Sequence, residues 1–166
     1  MSRRAVLRAE PRAVTPASAE GLSVGQLMGR ARASLLNSLD AELERFGLNS
    51  AQLTVLKHLA EGSARTAADL CRQHRYDTGA MTRMLDRLEK RGLVRRERGR
   101  EDRRVVLLRL APQGRTLLPR LLAVGARVVD AHLGGFSTAE IGALKDYLRR
   151  MIENGQDRFP GSSSGS

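Results

Sequence analysis

The stretch Asp77–Leu110, "DTGAMTRMLDRLEKRGLVRRERGREDRRVVLLRL", changes from helical to strand periodicity. It opens with Asp77, a good helix N-cap, and Gly92 is placed to end the helix. Between them the apolar residues share one helix face, namely Met81, Met84, Leu85 and Leu88. Two short β-prone runs then surround a charged turn, as in a hairpin. The stretch therefore predicts the last helix of a helix-turn-helix followed by a β-wing.

Three helices are predicted before this stretch. From Ser23 to Phe46 apolar residues recur at helical spacing, at Val24, Met28, Ala31, Leu35, Leu39 and Leu43. A helix this long is expected to pack against more than its own domain. We expect Ser50 to cap the second helix, and Thr66 with Asp69 to form a capping box for the third.

Two helices are predicted after the hairpin. Pro112 suits the first turn of one, and Pro119 is expected to bend it. Ser137 is expected to start the other, whose apolar face comprises Ile141, Leu144, Leu148 and Ile152. The fold class is therefore mainly α with a small β-hairpin wing, arranged as a winged helix-turn-helix with additional helices.

The chain carries a large excess of arginine. Lysine plus arginine number 29 against 18 acids, a formal charge of +11, and lysine occurs only at Lys57, Lys90 and Lys145. Guanidinium groups suit bidentate contacts to phosphate and guanine. Between Asp77 and Arg109 eleven basic residues face six acids. The helix and hairpin are thus predicted to present cations together to DNA.

The polar face of the Asp77–Arg91 helix starts with small residues and continues with cations: Gly79, Thr82, Arg83, Asp86 and Lys90. Small residues bring backbone close to base edges, and arginine contacts guanine or phosphate. We expect Asp86 to pair with Arg83 or Lys90. Considered alone, this helix fits an ordinary solvated face equally well.

The predicted wing tip, Gly99 to Arg104, has a glycine for the turn and arginines able to enter a minor groove. Asp102 is expected to accept a hydrogen bond from the Arg104 guanidinium and to orient it.

Other classes of protein fit poorly. No apolar run approaches the ~20 residues of a membrane span, and the N-terminus is a poor signal peptide. His58, His74 and His132 adjoin no recognisable nucleophile motif, so an enzyme is not indicated. One cysteine excludes an internal disulfide and favours the cytoplasm. We expect no cofactor and no metal, since Cys71 and His74 lack two further zinc ligands.

Two motifs at this spacing resemble the MarR family of bacterial transcription regulators: "YDTGAMTRMLDRLEKRGLVRR" and "EDRRVVLLRLAPQGR". The second contains the family's Asp-x-Arg wing motif as Asp102 and Arg104. Ala111 departs from the threonine common in the family before the proline, so the next helix loses a cap.

The resemblance implies a homodimer that binds a double-stranded, pseudo-palindromic operator in the cytoplasm, at the nucleoid. Residues 1–20 would be a flexible basic arm and 157–166 a flexible tail. Within the unit 21–156, segments 21–47 and 112–156 would be dimerisation helices and 48–111 the winged helix. The predicted DNA-binding residues are Thr78, Gly79, Ala80, Thr82, Arg83, Arg87, Arg100, Asp102, Arg103 and Arg104.

The resemblance also implies a repressor released by a small aromatic acid, such as a hydroxybenzoate, and control of aromatic catabolism or efflux genes. An aromatic carboxylate needs an anchoring arginine, and Arg30, with Ser34 four residues on, is the candidate. His58, on the second helix, is a weaker candidate for contacting a ligand hydroxyl. A solvent-facing Arg30 remains the alternative. Two further alternatives remain. One is a redox regulator that uses Cys71, although that thiol also fits a buried apolar role. The other is a non-specific architectural DNA-binding protein.

Overall fold

The elements follow each other in the predicted order. The computed structural model describes residues 21–74, 77–99, 102 and 104–158. In that part of the chain the helices are α1 (Val24–Glu44), α2 (Ser50–Glu61), α3 (Ala67–His74), α4 (Thr78–Lys90), α5 (Pro112–His132) and α6 (Thr138–Arg158). The hairpin strands β1 (Val94–Arg98) and β2 (Val106–Leu110) lie between α4 and α5. The predicted fold class, a mainly helical winged helix-turn-helix, is confirmed.

The described residues divide into two units, one before Leu35 and one from Leu35 onward. Of the first, the structure describes residues 21–34, and all of these are exposed. They include the first three apolar side chains of α1, Val24, Leu27 and Met28. The predicted arm, residues 1–20, lies outside the described residues, and α6 extends to Arg158, into the segment predicted as the tail.

The core lies in the second unit, where α2, α3, α4, the hairpin and α5 pack together. All four apolar residues predicted for the inner face of α4 are buried. The largest fully buried side chains from the surrounding elements are Leu43, Leu56, Leu70, Leu93 and Leu121. Burial of such side chains contributes roughly 1.5–3 kcal/mol each, so this core fixes the orientation of α4.

Helix ends follow the predicted side-chain caps with one exception. Thr66 and Asp69 form the expected reciprocal pair: the Asp69 N–H donates to Thr66 Oγ1 (3.1 Å), and the Thr66 N–H donates to Asp69 Oδ2 (2.9 Å). The prediction for α2 was wrong, because Asn49 is the cap and Ser50 is already helical. Asn49 Oδ1 accepts a hydrogen bond from the Gln52 N–H, and Gln52 Oε1 accepts one from the Asn49 N–H. Asn49 and Gln52 therefore form a capping box through their side-chain amides.

The hairpin is antiparallel, and both of its strands are joined to the rest of the second unit. Val94 pairs with Leu110 and Arg98 with Val106. The Leu108 N–H donates to the Arg65 carbonyl (2.8 Å), which ties β2 to the segment before α3. At the base of β1, a Cβ on Gly114 would lie 2.1 Å from the Leu93 carbonyl oxygen. Glycine is therefore required where α5 crosses the start of the hairpin.

The start of α5 lacks a side-chain cap, as predicted from Ala111, and the helix continues through Pro119 to His132. α6 is unusual in another way, since none of its 21 residues, all of them described, is buried. Its exposed apolar side chains are Leu144, Tyr147, Leu148, Met151 and Ile152. Within the described part of the chain, no helix combines the length and apolar character of a bilayer span.

The Asp69 cap generates a prediction on pH. Hydrogen bonds from the Arg65 N–H, and then from Thr66, hold the pKa of Asp69 below its usual range. A carboxyl whose pKa is lowered by folding adds stability above its unfolded pKa, and that stability disappears as the pH falls through the folded value. We expect Asp69→Asn to lower the free energy of unfolding by roughly 1 kcal/mol at pH 7.

Urea unfolding from pH 7 downward would measure this, and the deficit should shrink below about pH 4. Asp146→Asn is the control, because Asp146 is an exposed α6 carboxylate paired with Arg149. A deficit in Asp69→Asn that does not depend on pH would contradict the assigned role.

Candidate nucleic-acid interface

The outer face of α4 presents six of the ten predicted DNA-contacting residues on one surface. Asp77 caps the helix by accepting a hydrogen bond from the Ala80 N–H (2.9 Å). Gly79 and Ala80 are half-buried in the first turn. The exposed residues of this face are Thr78, Thr82, Arg83 and Arg87. The buried methionine and leucine side chains opposite them keep this face turned outward.

The position of the Arg83 guanidinium depends on the absence of a side chain at Gly79. A Cβ on Gly79 would lie 3.1 Å from Asp77 Oδ2 and 3.3 Å from Arg83 Nη1. The absence of a side chain therefore leaves room for the guanidinium to fold over the first turn. One turn on, the Thr82 hydroxyl donates to the Thr78 carbonyl (2.8 Å), so Thr82 offers an outward ligand its methyl group and its oxygen lone pairs.

Asp86 has a different partner from the one predicted. The expected pairing with Arg83 or Lys90 was wrong, because Asp86 Oδ1 lies 2.7 Å from Nη2 of Arg96, on β1. Nη1 of the same guanidinium pairs with Glu89, and the Arg96 N–H donates to Glu89 Oε1 (3.1 Å). We call this arrangement of Arg96 with Asp86 and Glu89 the clamp.

The clamp is partly shielded, since the Arg96 side chain is 30% exposed. Burial acts to lower the pKa of Arg96, but hydrogen bonds to Asp86 and Glu89 outweigh it and raise that pKa. The guanidinium is therefore permanently charged. It neutralises both carboxylates of α4 and binds the first strand of the wing to the helix.

The carboxylate of Glu97, on β1, is also neutralised. Glu97 contacts Arg95 Nη2 (2.7 Å) through one oxygen and Arg109 Nε (3.1 Å) through the other. Over the described residues, several cations of this lobe make no ion pair with a carboxylate: Arg83, Arg87, Lys90, Arg98 and Arg104. The surface formed by α4 and the hairpin is therefore positive.

The wing tip closes differently from the prediction. Asp102 Oδ1 accepts from the backbone N–H of Arg104 (2.8 Å), so the carboxylate orders the turn and its described bond is not to the guanidinium. A Cβ on Gly99 would lie 2.6 Å from the Asp102 carbonyl oxygen, so this tight turn requires glycine. Arg104 is exposed beyond it. The predicted contacts Arg100 and Arg103 lie outside the described residues.

The three candidate ligand residues occupy different environments. Arg30 and Ser34 are exposed on α1, in the first unit. His58, in the second unit, is buried at 5% exposure, and its Nδ1 lies 2.7 Å from Ser63 Oγ. Cys71 is half-buried and packs against the core. Their predicted roles remain proposals.

Arg96, Glu89 and Arg91 were missed by the sequence interpretation. The Arg91 guanidinium donates to the carbonyls of Phe46 (2.6 Å) and Gly47, at the turn after α1. Arg96 and Glu89 are seven residues apart across the turn at Gly92, so helical spacing does not connect them. The sequence held one indication of the Arg96 contacts: a hairpin that follows α4 directly must return its first strand, β1, along that helix.

Comparison with known proteins agrees with this geometry. Residues 46–105 match the profile described as MarR family. The Bacillus subtilis HTH-type transcriptional regulator YdgJ is 33% identical over 108 residues, 65% of this chain and just under two thirds (66%) of that protein. The B. subtilis HTH-type transcriptional repressor MdtR is 30% identical over 119 residues, 72% of this chain and 74% of the repressor.

Two solved structures are also similar. A MarR mutant from E. coli in complex with operator DNA gives a TM-score of 0.68 at 26% identity, over 78% of this chain and 93% of that one. Bordetella bronchiseptica BpsR, solved to explain regulation of its DNA binding by 6-hydroxynicotinic acid, gives 0.69 at 27% identity, over 83% and 98%. The lobe with its positive face and the matched profile agree, and the chain belongs to the MarR family of transcriptional regulators.

Proposed function

We propose that this chain is a dimeric transcriptional repressor that binds a pseudo-palindromic operator through α4 and the wing, and that a small aromatic carboxylate releases it. The observation that carries the proposal is the positive face of α4. The clamp neutralises Asp86 and Glu89, and Arg83 and Arg87 make no ion pair within the described residues. Arginines exposed in this way suit guanine N7 and O6 or backbone phosphates.

One similar structure and one similar sequence support the proposed binding to DNA. The similar E. coli MarR mutant was solved with operator DNA, and the similar B. subtilis protein MdtR is a transcriptional repressor. In this chain α4 would enter the major groove, because its first turn combines small residues with Arg83. Arg104, exposed at the wing tip, would enter the adjacent minor groove, whose negative potential attracts guanidinium groups.

Exposed apolar helices support the dimer. α6 exposes Tyr147 (60%) and Ile152 (61%), and α5 exposes Val129 (45%). In the first unit, Val24 is 64% exposed. Apolar surface on this scale is typical of an interface, and a second copy is the partner that a palindromic operator requires. Two copies would place their α4 helices in half-sites about one helical turn apart.

The proposed effector is a small aromatic carboxylate that binds at α1. Arg30, exposed on α1, would anchor the carboxylate of a hydroxybenzoate, with Ser34 on the same helix as a further contact. The similarity to BpsR, whose DNA binding 6-hydroxynicotinic acid regulates, supports an aromatic acid. Release requires that the ligand prefer a spacing of the two α4 helices that does not match successive major grooves.

Fluorescence anisotropy on DNA from immediately upstream of the gene, with a panel of hydroxybenzoates, tests the whole proposal. We expect tight binding that one member of the panel weakens. Arg30→Ala should bind DNA as the wild type does and resist release, and a variant that is released normally would remove Arg30 from the ligand site. Affinity no greater than for random DNA would indicate an architectural protein, because such proteins lack sequence preference.

Arg83 and Arg104 should fail in different ways. We expect Arg83→Ala to reduce the preference for operator over random DNA by about 1–3 kcal/mol, since a guanine contact is lost. Arg104→Ala should weaken operator binding by about tenfold with little change in thermal stability. Arg149→Ala, on α6, is the charge-matched control. Equal losses of Arg83→Ala on all sequences would make Arg83 a phosphate contact, and unchanged affinity in Arg104→Ala would refute the wing contact.

The clamp can be tested separately from direct contacts. Arg96→Gln and Arg95→Gln each remove one positive charge from β1, so the general attraction to DNA falls equally in both. Arg95 pairs with Glu97 on its own strand, whereas Arg96 joins the strand to α4. We expect Arg96→Gln to bind operator at least about threefold more weakly than Arg95→Gln, because two carboxylates then face the phosphates. Equal affinities would show that the clamp does not shape the interface.

A further inference from the structure

A second basic cluster lies away from the DNA-facing surface. A cavity of about 540 Å³ opens between the turn Arg45–Gly47, which follows α1, and the middle of α5. The Arg45 and Arg120 guanidinium carbons lie 5.1 and 5.8 Å from the centre of the Phe46 ring. The complete lining is Arg45, Phe46, Arg120, Ala123, Val124 and Arg127.

The charges of this cavity are unbalanced. Arg45 pairs with Glu42 (3.3 Å), but within the described part of the chain Arg120 and Arg127 make no ion pair with a carboxylate. No acid belongs to the lining. The three guanidinium groups are exposed, so water screens part of their mutual repulsion, and an anion between them would offset the rest. The contacts of Phe46 with Arg45 and Arg120 help to order those two guanidinium groups beside an apolar wall.

We propose that this cavity binds a small organic dianion, with one apolar group and either two carboxylates or one phosphate. Two of the three lining guanidinium groups lack a carboxylate partner within the described residues, which matches two negative charges. Guanidinium groups bind planar oxyanions in pairs of parallel hydrogen bonds. The Phe46 ring, Ala123 and Val124 supply the apolar contact, and the volume suits a single-ring ligand.

The cavity is connected to α4 through one residue. Arg91, the C-cap of α4, donates to the carbonyls of Phe46 (2.6 Å) and Gly47, and so holds the turn that supplies two of the lining residues. A dianion that draws Arg45 towards Arg120 shifts this turn, and Arg91 transmits the shift to the end of α4. The binding site stands on its own geometry, whereas its effect on DNA affinity rests on the proposed function.

Isothermal titration of the full chain tests the site without DNA. The probes are phthalate, phenyl phosphate and inorganic phosphate. We expect phthalate or phenyl phosphate to bind, and Arg120→Gln and Arg127→Gln each to weaken that binding about tenfold. Arg149→Gln, which removes an α6 guanidinium paired with Asp146, should bind as the wild type does. Preference for phthalate identifies a dicarboxylate and preference for phenyl phosphate a phosphate ester.

Several results would overturn the site. These are no binding of any probe, equal binding of inorganic phosphate, or undiminished binding in Arg120→Gln. Sedimentation analysis adds another: if Arg120→Gln dissociates an oligomer and no probe binds, the arginines pair with carboxylates of a second copy.

The link through Arg91 has its own test. Operator affinity is compared with and without saturating probe, and we expect Arg91→Gln to lose the probe-dependent change in that affinity. A wild-type chain that binds the probe but no operator would leave the site standing and refute the proposed function. Full retention of the affinity change in Arg91→Gln would refute the link.

Discussion

The clamp of Arg96 with Asp86 and Glu89 is the interaction on which the proposed DNA-contacting surface depends. α4 carries two carboxylates on the side from which the wing returns, and both would repel phosphate if they were left uncompensated. Arg96 reaches them from β1, with Asp86 at 2.7 Å. The same guanidinium therefore neutralises the two carboxylates of the helix and holds the hairpin against it. Because the core beneath fixes which side of α4 faces outward, the clamp determines what that side presents.

Local sequence was enough to predict the elements and most of their ends. Asp77 and the pair Thr66–Asp69 act within one helical turn, so their hydrogen bonds follow from spacing alone. The buried face of α4 likewise follows from periodicity. Asn49 was overlooked because an adjacent serine is also a good cap, and only the backbone conformation distinguishes the two.

The parts of the site that were not predicted depend on contacts between elements. Asp86 had two acceptable partners at helical spacing, but a third residue on a different element is the actual one. Arg91 contacts residues 44 and 45 positions earlier in the chain, and no local pattern indicates such a contact. Asp102 was correctly placed at the wing tip, yet its bond is to a backbone N–H, because a turn this tight brings that group closest.

The proposed ligand cavity and the proposed DNA-contacting surface are linked at the end of α4. The apolar surface lies on α6 and the basic cavity lies beside α5, whereas Arg91 links the α4 terminus to the turn at Phe46. A ligand or a second copy that changes this region has a short, hydrogen-bonded route to the DNA-facing helix. In the proposed mechanism, this route would let the core-packed helix α4 respond to binding elsewhere.

Methylation protection by dimethyl sulfate, on operator fragments bound by the full chain, tests directly whether α4 and the wing contact DNA. The reagent modifies guanine N7 in the major groove and adenine N3 in the minor groove, so a single experiment reports both elements. We expect two blocks of protected guanines about one helical turn apart, each flanked by protected adenines where Arg104 enters the minor groove. Protection of neither groove in a bound complex, or protection without this spacing, would contradict the assignment of α4 and the wing as the DNA-contacting surface.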